Sequence, residues 1–394
     1  MSLSLHPFPA RMAPELALST LVNLESGSTV LDPMSGSGTV GQQAKKLGLT
    51  ALGFDLDPLA VLISRVSTTP IDDTEIERQS RRLIALAKSP NLSGVQLPWI
   101  DGDREAEGFI SYWFGVRQRD DLRRIASLLQ DPSRIDVSDD VADFLRVALS
   151  RIIVTKKQSA SLAQDTSHSR PHRVATESNY DVFQGFERSI RALRKRVAGI
   201  PAKGEVVIRR GDARDLALVA GDSVDAVITS PPYLNAIDYM RGHKMSLIWL
   251  GHRLRDLSTT RSDSIGAERR PDAPIEGEEH SLIKAAMGDL SGLESRRDGM
   301  IDRYVGDLVK MTSEVARVLK PKATATFVMG NSCLKGVYIR NSEALAKASE
   351  AAGLSIVEKW ERDLPAGSRY LPTPASGTLS KRMRKEVILR VIKG

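Results

Sequence analysis

The sequence predicts an α/β fold built on one mainly parallel β-sheet, and three observations support that prediction. Short apolar runs alternate with amphipathic helical stretches near both ends of the chain, a pattern typical of parallel strands covered by helices. A glycine-rich segment joins the first predicted strand to the next helix, as in nucleotide-binding α/β proteins. No helical pattern separates the last two strands, which can therefore pair antiparallel.

The predicted framework begins with helix, strand, helix, strand, helix and resumes with five strands after residue 204. Gly48 ends the second helix as a C-terminal cap, and Pro58 opens the third. About seven strands are expected in total. The predicted helices of this framework span 12–25, 39–47, 58–66, 300–319 and 342–352, and the strands span 29–32, 51–54, 206–208, 226–228, 324–329, 354–360 and 386–391.

A long interruption separates the two parts of the predicted sheet. Residues 70–204 show helical patterns at 73–88, 117–129, 139–154 and 180–197 and no convincing strand. We therefore predict a main domain formed by residues 1–69 and 205–394, with 70–204 as a helical insertion. Residues 253–298 have little periodicity and several Gly, Ser and Pro residues, so a mobile loop is expected there.

Composition and charge narrow the possible functions. The chain has 394 residues and a formal net charge of +7, which favours a polyanionic partner. Its single cysteine, Cys333, excludes an internal disulfide or a cysteine-based metal site. His168 and His172 lie in an irregular stretch, and no metal is expected. No apolar run of membrane-spanning length or apolar signal segment is found, so we expect a soluble cytoplasmic protein.

The most informative segment is Ser230, Pro231, Pro232 and Tyr233, which directly follows a short apolar strand. Neither proline can donate a ladder hydrogen bond, so the strand ends there and the turn is stiff. The turn presents the carbonyls of Ser230 and Pro231 beside an aromatic ring. Such a cup suits a planar ring with an exocyclic amine, although a plain proline turn that ends a strand is the alternative.

A second segment indicates a site for an adenosine-containing cofactor. Its glycines allow unusual backbone angles and close approach of a ligand, and the helix beyond offers free N–H groups. Asp55, at the end of the second strand, is placed to accept hydrogen bonds from a ribose. The segment consists of Asp32, Pro33, Met34, Ser35, Gly36, Ser37, Gly38 and Thr39.

Two cofactors compete for this loop. Residues 36–41 match the G-x-G-x-x-G dinucleotide pattern, which would make the protein an NAD-dependent oxidoreductase. The pattern normally opens directly after the strand, whereas residues 32–35 intervene here. An ionised Asp32 would repel a pyrophosphate but could hold a cationic ligand, so S-adenosylmethionine is favoured over NAD. A glycine-rich turn without a ligand is the remaining alternative.

These segments resemble those of the DNA amino-methyltransferases, which use S-adenosylmethionine to methylate cytosine N4 or adenine N6. The loop at 32–39 is similar to the family's D-P-F-x-G-S-G-T segment, with Met34 in place of Phe, and residues 230–233 are similar to its catalytic tetrapeptide. The resemblance implies a class I methyltransferase (Rossmann-like) fold. It also implies cofactor contacts for Asp55 and for His6, Pro7, Phe8, Asp212 and Ala213.

The resemblance further implies a flipped base in double-stranded DNA, methylated on its exocyclic amine. Ser230 before Pro-Pro-Tyr favours cytosine N4, whereas adenine N6, an RNA base, or a DNA-binding module without activity remain alternatives. Cys333 is not placed for cytosine C5 chemistry. A restriction endonuclease of the same restriction-modification system is a candidate partner.

Several residues are candidates for DNA contact, and which insertion reads the target is left open. One group directly follows the tetrapeptide, and another lies between the last two strands, where Lys and Arg could meet phosphates. The helical insertion is the candidate target-recognition region. The candidate residues are Asn235, Asp238, Tyr239, Arg241, Lys244, Lys381, Arg382 and Arg384.

Overall fold

The structure is a computed structural model that describes residues 5–8, 11–131, 136–165, 170–234, 238–271, 277–364 and 385–394. The chain divides into two compact units, each assembled from three stretches of sequence. The helical unit comprises residues 1–9, 57–202 and 238–261, and the sheet unit comprises residues 10–56, 203–237 and 262–394.

Helices and strands are numbered here in chain order over both units. The strands are β1 (Thr29–Asp32), β2 (Thr50–Asp55), β3 (Ala163–Gln164), β4 (His172–Arg173), β5 (Glu205–Arg210), β6 (Val224–Thr229), β7 (Leu319–Gly330), β8 (Ser332–Leu334), β9 (Val337–Ile339), β10 (Leu354–Asp363) and β11 (Lys385–Lys393). The helices are α1 (Pro14–Leu21), α2 (Thr39–Leu47), α3 (Pro58–Thr68), α4 (Asp73–Ala87), α5 (Arg104–Trp113), α6 (Val116–Gln130), α7 (Asp139–Ser150), α8 (Val182–Val197), α9 (Tyr239–Leu247), α10 (Leu254–Asp263), α11 (Glu278–Ala286), α12 (Asp298–Val318) and α13 (Asn341–Ala351).

The sheet unit is organised around a seven-stranded sheet with the order β10-β11-β7-β6-β1-β2-β5. The five strands from β7 to β5 are parallel, whereas β11 runs antiparallel to both β7 and β10. The predicted fold class, a class I methyltransferase sheet with an antiparallel last strand and a helical insertion, is confirmed by this order. The strand order reverses direction at β1 and β6, where ligands of open α/β sheets bind at the carboxyl ends.

Adjacent residues of the central strand pack into separate cores on the two faces of the sheet. Val30 joins a core with Ile228 and residues of α1 and α2, whereas Leu31 joins a second core with Phe327 and residues of α12. All of these apolar side chains are almost fully buried. The alternation follows from the two-residue period of a strand and requires that both faces be covered.

The helical unit has its own apolar core, which includes Phe114, Phe144, Phe186 and Trp249. Its extent differs from the predicted insertion at residues 70–204, because it also contains α3 and α9. The α3 side chains Leu59, Ile63 and Val66 are buried in the same core, as are those of Met245, Leu247 and Ile248. The boundaries of the unit therefore follow from the burial of these faces. The composition of the sequence did not mark them.

The prediction of a loop across residues 253–298 is wrong, because this stretch contains α10 and α11. Both helices are short, yet they bury apolar residues such as Leu257 and Ile283. Helix α5 was also missed: Gly108 and three aromatic residues lower its intrinsic helix propensity. Asp103 nevertheless caps it by accepting from the N–H groups of Glu105 and Ala106.

Candidate active site

The two predicted site segments lie side by side, although nearly 200 residues separate them in sequence. Strands β1 and β6 pair in parallel, with Val30 opposite Ala226. At their carboxyl ends the Thr229 hydroxyl donates a 2.8 Å hydrogen bond to Asp32 Oδ1, and both side chains are buried. The loop after β1 and the turn after β6 therefore emerge from the same edge of the sheet.

The loop after β1 folds back onto the end of β2. Gly36 and Gly38 have φ angles of 49° and 79°, the left-handed region that favours glycine. The N–H of Gly36 donates to Asp55 Oδ2 over 2.8 Å, and the N–H of Ser35 donates to the Phe54 carbonyl over 2.8 Å. Asp55 is thus held against the loop, while Gly38 caps the start of α2 at Thr39.

Asp32 places a buried carboxyl group at the centre of this edge. Burial raises its pKa from 3.8 to about 7, and the charge of Asp55 acts in the same direction. Hydrogen bonds from Thr229 and from the Met34 N–H oppose the rise. No lysine or arginine among the described residues contacts Asp32. This acidic environment suits a cationic ligand and disfavours a pyrophosphate.

The remaining predicted loop residues are buried or half-buried within the sheet unit. Pro33 is buried, and Met34 is half-buried against the core shared with Leu31. The Ser37 carbonyl accepts a hydrogen bond from Gln42 Nε2 of α2 over 3.2 Å. The loop is therefore held at both ends by bonds within the sheet unit.

The proline turn after β6 is held from two sides. Ser230 Oγ donates a 2.9 Å hydrogen bond to the Val328 carbonyl of the neighbouring strand β7. The hydroxyl of Tyr304, on α12, donates to the Pro232 carbonyl over 3.3 Å. Burial raises the pKa of Tyr304, which therefore stays protonated as a donor. Pro231 is buried, whereas Ser230 and Tyr233 are half-buried.

Sequence reasoning missed this support from Tyr304, which lies in an amphipathic helix with no motif around it. It also missed Gly266, whose φ is +78°. A β-carbon at Gly266 would lie 3.0 Å from the Tyr233 carbonyl oxygen, closer than side chains ordinarily approach. The segment after α10 therefore packs directly against the backbone of the turn.

Asp212, after β5, pairs with an arginine that the sequence analysis did not identify. Arg214 donates from Nε and Nη2 to the Asp212 carboxylate, at 2.9 Å and 2.6 Å, and from Nη1 to Asp307 over 2.6 Å. Burial opposes ionisation of Asp212, but the Arg214 bonds outweigh it and lower the pKa. Ala213 between them is buried. The predicted cofactor contacts of Asp212 and Ala213 remain predictions.

The predicted N-terminal segment belongs to the helical unit. His6 is buried, with Nδ1 3.2 Å from the Pro7 carbonyl. The Phe8 ring stacks on that of Tyr239, with centroids 5.3 Å apart and planes 19° apart. Pro9 and Ala10 lie outside the described residues. The predicted cofactor contacts of His6, Pro7 and Phe8 remain predictions.

A buried histidine, His243, lies beside this stack. His243 Nδ1 lies 2.5 Å from Asp57 Oδ2, and its ring is 5.4 Å from that of Phe8. Asp57 also caps α3 by accepting from the Leu59 N–H. Burial opposes ionisation of Asp57, yet His243 outweighs it and lowers the pKa of the carboxyl group. This pair joins the start of α3 to the middle of α9 within the helical unit.

Some of the predicted DNA-contact residues lie in the part of the chain that the structure describes, and the others lie outside it. Asp238 caps α9 and pairs with Arg261, with Oδ2 2.7 Å from Nη2. Arg241 is exposed, and Lys244 Nζ lies 5.3 Å from the centre of the Phe109 ring. The candidates outside the described residues are Asn235, Lys381, Arg382 and Arg384.

Within the described residues, no group of three or more His, Cys, Asp or Glu side chains is arranged to hold a metal ion. His168, one of the two histidines noted above, lies outside those residues. None of the helices described by the structure combines the length and apolar character needed to cross a membrane.

No known protein-family profile matches the chain. The type II methyltransferase M.MvaI of Kocuria varians is 23% identical over 98% of this chain and 89% of its own. The type II methyltransferase M.BsoBI of Geobacillus stearothermophilus is 20% identical over 85% of this chain and 74% of its own. A SAM-dependent methyltransferase structure from Methanosarcina mazei is 9% identical, covering 98% and 99% of the two chains, at a TM-score of 0.34. The chain is thus similar to type II methyltransferases along most of its length.

Proposed function

We propose that this protein is a DNA methyltransferase that transfers a methyl group from S-adenosylmethionine to the exocyclic amine of a flipped base. The observation that carries the proposal is the bond between Thr229 and Asp32, which joins the ends of neighbouring parallel strands. It brings a loop suited to an adenosine-containing ligand next to a turn suited to an amine. The similarity to type II methyltransferases supports the same conclusion.

The residues of the loop fit S-adenosylmethionine by their chemistry. The cofactor carries a sulfonium and an ammonium group but no phosphate, and here two carboxyl groups, Asp32 and Asp55, occupy the sheet edge. Asp55 would accept hydrogen bonds from the ribose hydroxyls, and Gly36 and Gly38 leave room for close approach of the ligand. When bound, the cofactor supplies an electrophilic methyl group.

The proline turn would prepare the amine for attack. An exocyclic amine is conjugated with its ring and is a weak nucleophile. Because the Ser230 proton is directed to the Val328 carbonyl, Ser230 Oγ has lone pairs left to accept from the amine. The Pro231 carbonyl would accept the second N–H, and Tyr233 would stack on the base. The turn then contributes by placing the nitrogen in line with the methyl group.

Cytosine N4 is the favoured acceptor, because serine precedes Pro-Pro-Tyr in residues 230–233 as in the family members that the sequence resembles. Adenine N6 and an RNA base are alternatives with the same site. Because the target amine is paired within a duplex, it must leave the base stack before it reaches the turn. A restriction endonuclease of the same system is the proposed functional partner.

Expression in a host that lacks DNA methylation, followed by modification-sensitive sequencing of its genome, tests the proposal. We expect methylation at a defined sequence, with chromatographic base analysis identifying N4-methylcytosine. The Ser230→Ala variant, expressed to the same level, should methylate a smaller fraction of these sites. An unmodified genome in the presence of folded, cofactor-binding wild-type protein would argue against DNA as the substrate, and methylated RNA would redirect the proposal.

A further inference from the structure

Three aromatic rings form a row on helix α5 of the helical unit. The centroids of Phe109 and Trp113 are 6.3 Å apart, and those of Trp113 and Tyr112 are 4.9 Å apart with the rings nearly perpendicular. Phe109 and Trp113 are half-buried against the core, whereas Tyr112 is 50% exposed. Aromatic residues make up only 5% of the chain, so such a row is not a product of composition.

A cation lies over each end of the row. Lys244 Nζ is 5.3 Å from the centre of the Phe109 ring, and the guanidinium carbon of Arg173 is 4.7 Å from the centre of the Tyr112 ring. Both contacts are within the range of cation–π attraction. The aromatic ladder, defined as Lys244, Phe109, Trp113, Tyr112 and Arg173, is thus one continuous set of contacts.

The two cations lack carboxylate partners within the described part of the chain. The Lys244 side chain makes no hydrogen bond or ion pair there, and burial lowers its pKa. Arg261 and Arg241 lower that pKa further, while Asp238 and Glu105 oppose them. Arg173 donates only to the Ala175 carbonyl, over 3.0 Å. An anion at either end would therefore offset the desolvation of a half-buried cation. It would not have to displace a carboxylate from an existing ion pair.

We propose that the aromatic ladder is a DNA-contact surface of the helical unit. It holds phosphates at Lys244 and Arg173 and packs a base or deoxyribose against the exposed Tyr112 ring. This inference deepens the proposed function and rests on it, because it names a surface of the helical unit that would contact the DNA substrate. The low aromatic content argues against a long stacking platform, and the ladder is a short one with cations at both ends.

Nucleic acid fits this surface better than a protein partner does. Stacking on an aromatic face accepts any base, and a cation at each end of the row suits the phosphates of a polyanion. An apolar protein partner would instead require a broad patch without half-buried charges. Lys244 lies on α9, five residues after the Tyr239 that begins this helix, and α9 follows the proline turn in sequence.

Fluorescence anisotropy with a labelled 30-base-pair duplex at several salt concentrations tests the inference. We expect Tyr112→Ala to weaken binding by about 5- to 150-fold, the range found when an aromatic base contact is removed. Arg173→Gln should make the slope of log affinity against log salt less steep by about 1, because one phosphate contact is lost. Tyr112→Phe should bind like the wild type, because the ring is retained.

Two exposed residues provide matched controls. Tyr338, on β9, is 44% exposed, and Arg81, on α4, is exposed beside Glu77. Tyr338→Ala and Arg81→Gln should leave affinity and salt slope unchanged, with all variants checked by thermal unfolding. Equal affinity and slope in Tyr112→Ala, Arg173→Gln and the wild type would overturn the inference, as would equal losses in the controls.

The same proteins separate failure of this inference from failure of the proposed function. Transfer of a labelled methyl group by the wild type tests the function and does not depend on the ladder variants. Methyl transfer with unaltered DNA affinity in both ladder variants would retain the function and reject the ladder. DNA affinity that depends on Tyr112 and Arg173 in a protein without methyl transfer would retain the ladder as a DNA surface and reject the function.

Discussion

The hydroxyl of Ser230 illustrates how one hydrogen bond can set a chemical role. A serine can donate or accept, but Ser230 Oγ is directed to the Val328 carbonyl, 2.9 Å away on β7. Its proton is therefore engaged, and the oxygen keeps lone pairs that can accept a hydrogen bond. The chemistry proposed for this residue thus depends on a neighbouring strand that is remote in sequence.

Replacing Ser230 with alanine should slow methyl transfer far more than it weakens cofactor binding. A lost acceptor of this kind costs about 1–3 kcal/mol, so kcat should fall by at least about fivefold and up to about 150-fold. Rapid-quench methyl transfer and calorimetric cofactor titration measure the two effects. Ser223→Ala is the control, because Ser223 donates to the Ala220 carbonyl at the opposite end of β6. Unchanged kcat in Ser230→Ala would show that the assigned role is wrong.

Two substitutions of Asp55 separate the effect of its charge on cofactor binding from the effect of its shape. Asp55→Ala removes both the Gly36 bond and the proposed ribose contact, and the cofactor Kd should rise by about 10- to 150-fold, or about 1.5–3 kcal/mol. Asp55→Asn can still accept from Gly36 and should raise the Kd less. Asp363→Ala, at the end of β10, is the matched control and should bind normally. Equal affinity in all three variants would contradict a cofactor role for Asp55.

At the scale of elements, the loop after β1 packs against a position of β2 that has no side chain, Gly53. A β-carbon at Gly53 on β2 would lie 2.4 Å from Ile208 Cδ1 and 3.3 Å from Ser35 Cβ. The close approach of β2, β5 and the loop therefore depends on this glycine. Its function is steric, because no left-handed φ is involved.

Gly53→Ala should destabilise the protein by about 1–3 kcal/mol through overpacking. Ile208→Val removes the nearest atom, Cδ1, so the double variant should be more stable than the sum of the single effects predicts, by at least about 0.5 kcal/mol. Urea unfolding of the four proteins provides the cycle. Gly221→Ala serves as the control, since its β-carbon would meet only the Arg317 carbonyl oxygen at 3.5 Å. Additive effects would place the strain elsewhere.

At the scale of the whole molecule, the buried carboxyl of Asp32 makes stability depend on pH. Its pKa is 3.8 in the unfolded chain and about 7 in the folded one, because burial disfavours the ionised form. Between these values the folded state holds a proton that the unfolded state has lost. The stabilisation is complete below pH 3.8 and is lost as the pH rises through 7.

We expect the free energy of unfolding to fall between pH 5 and pH 8 partly through this group, by a few kcal/mol at most. Asp32→Asn, which cannot ionise, should show a shallower decline when urea unfolding is measured at both pH values. Asp225→Asn is the control. Bonds from Lys320 and the Thr29 N–H outweigh burial and lower the pKa of Asp225. The ionisation of Asp225 therefore changes stability only below pH 5, outside the measured range. Parallel curves for Asp32→Asn and the wild type would contradict the shifted pKa.

Much of the fold could be predicted from local pattern, because backbone preferences act over a few residues. The strand 29–32, the helix 39–47 and the cap at Gly48 agree with the structure, and all seven strands of the main sheet were anticipated. Short helices were harder to predict. Helices α10 and α11 were missed because each buries only a few residues, too few to produce a visible period.

The sequence by itself determined the kinds of element, the glycine loop and the stiff turn at residues 230–233, since each depends on the local limits of glycine and proline. Only the tertiary structure decided that β1 and β6 are neighbours and that Thr229 donates to Asp32. It also decided that Arg214 joins Asp212 to Asp307. The physical reason is that such contacts follow from the order of strands and the packing of helices, which bring together residues that no local pattern connects.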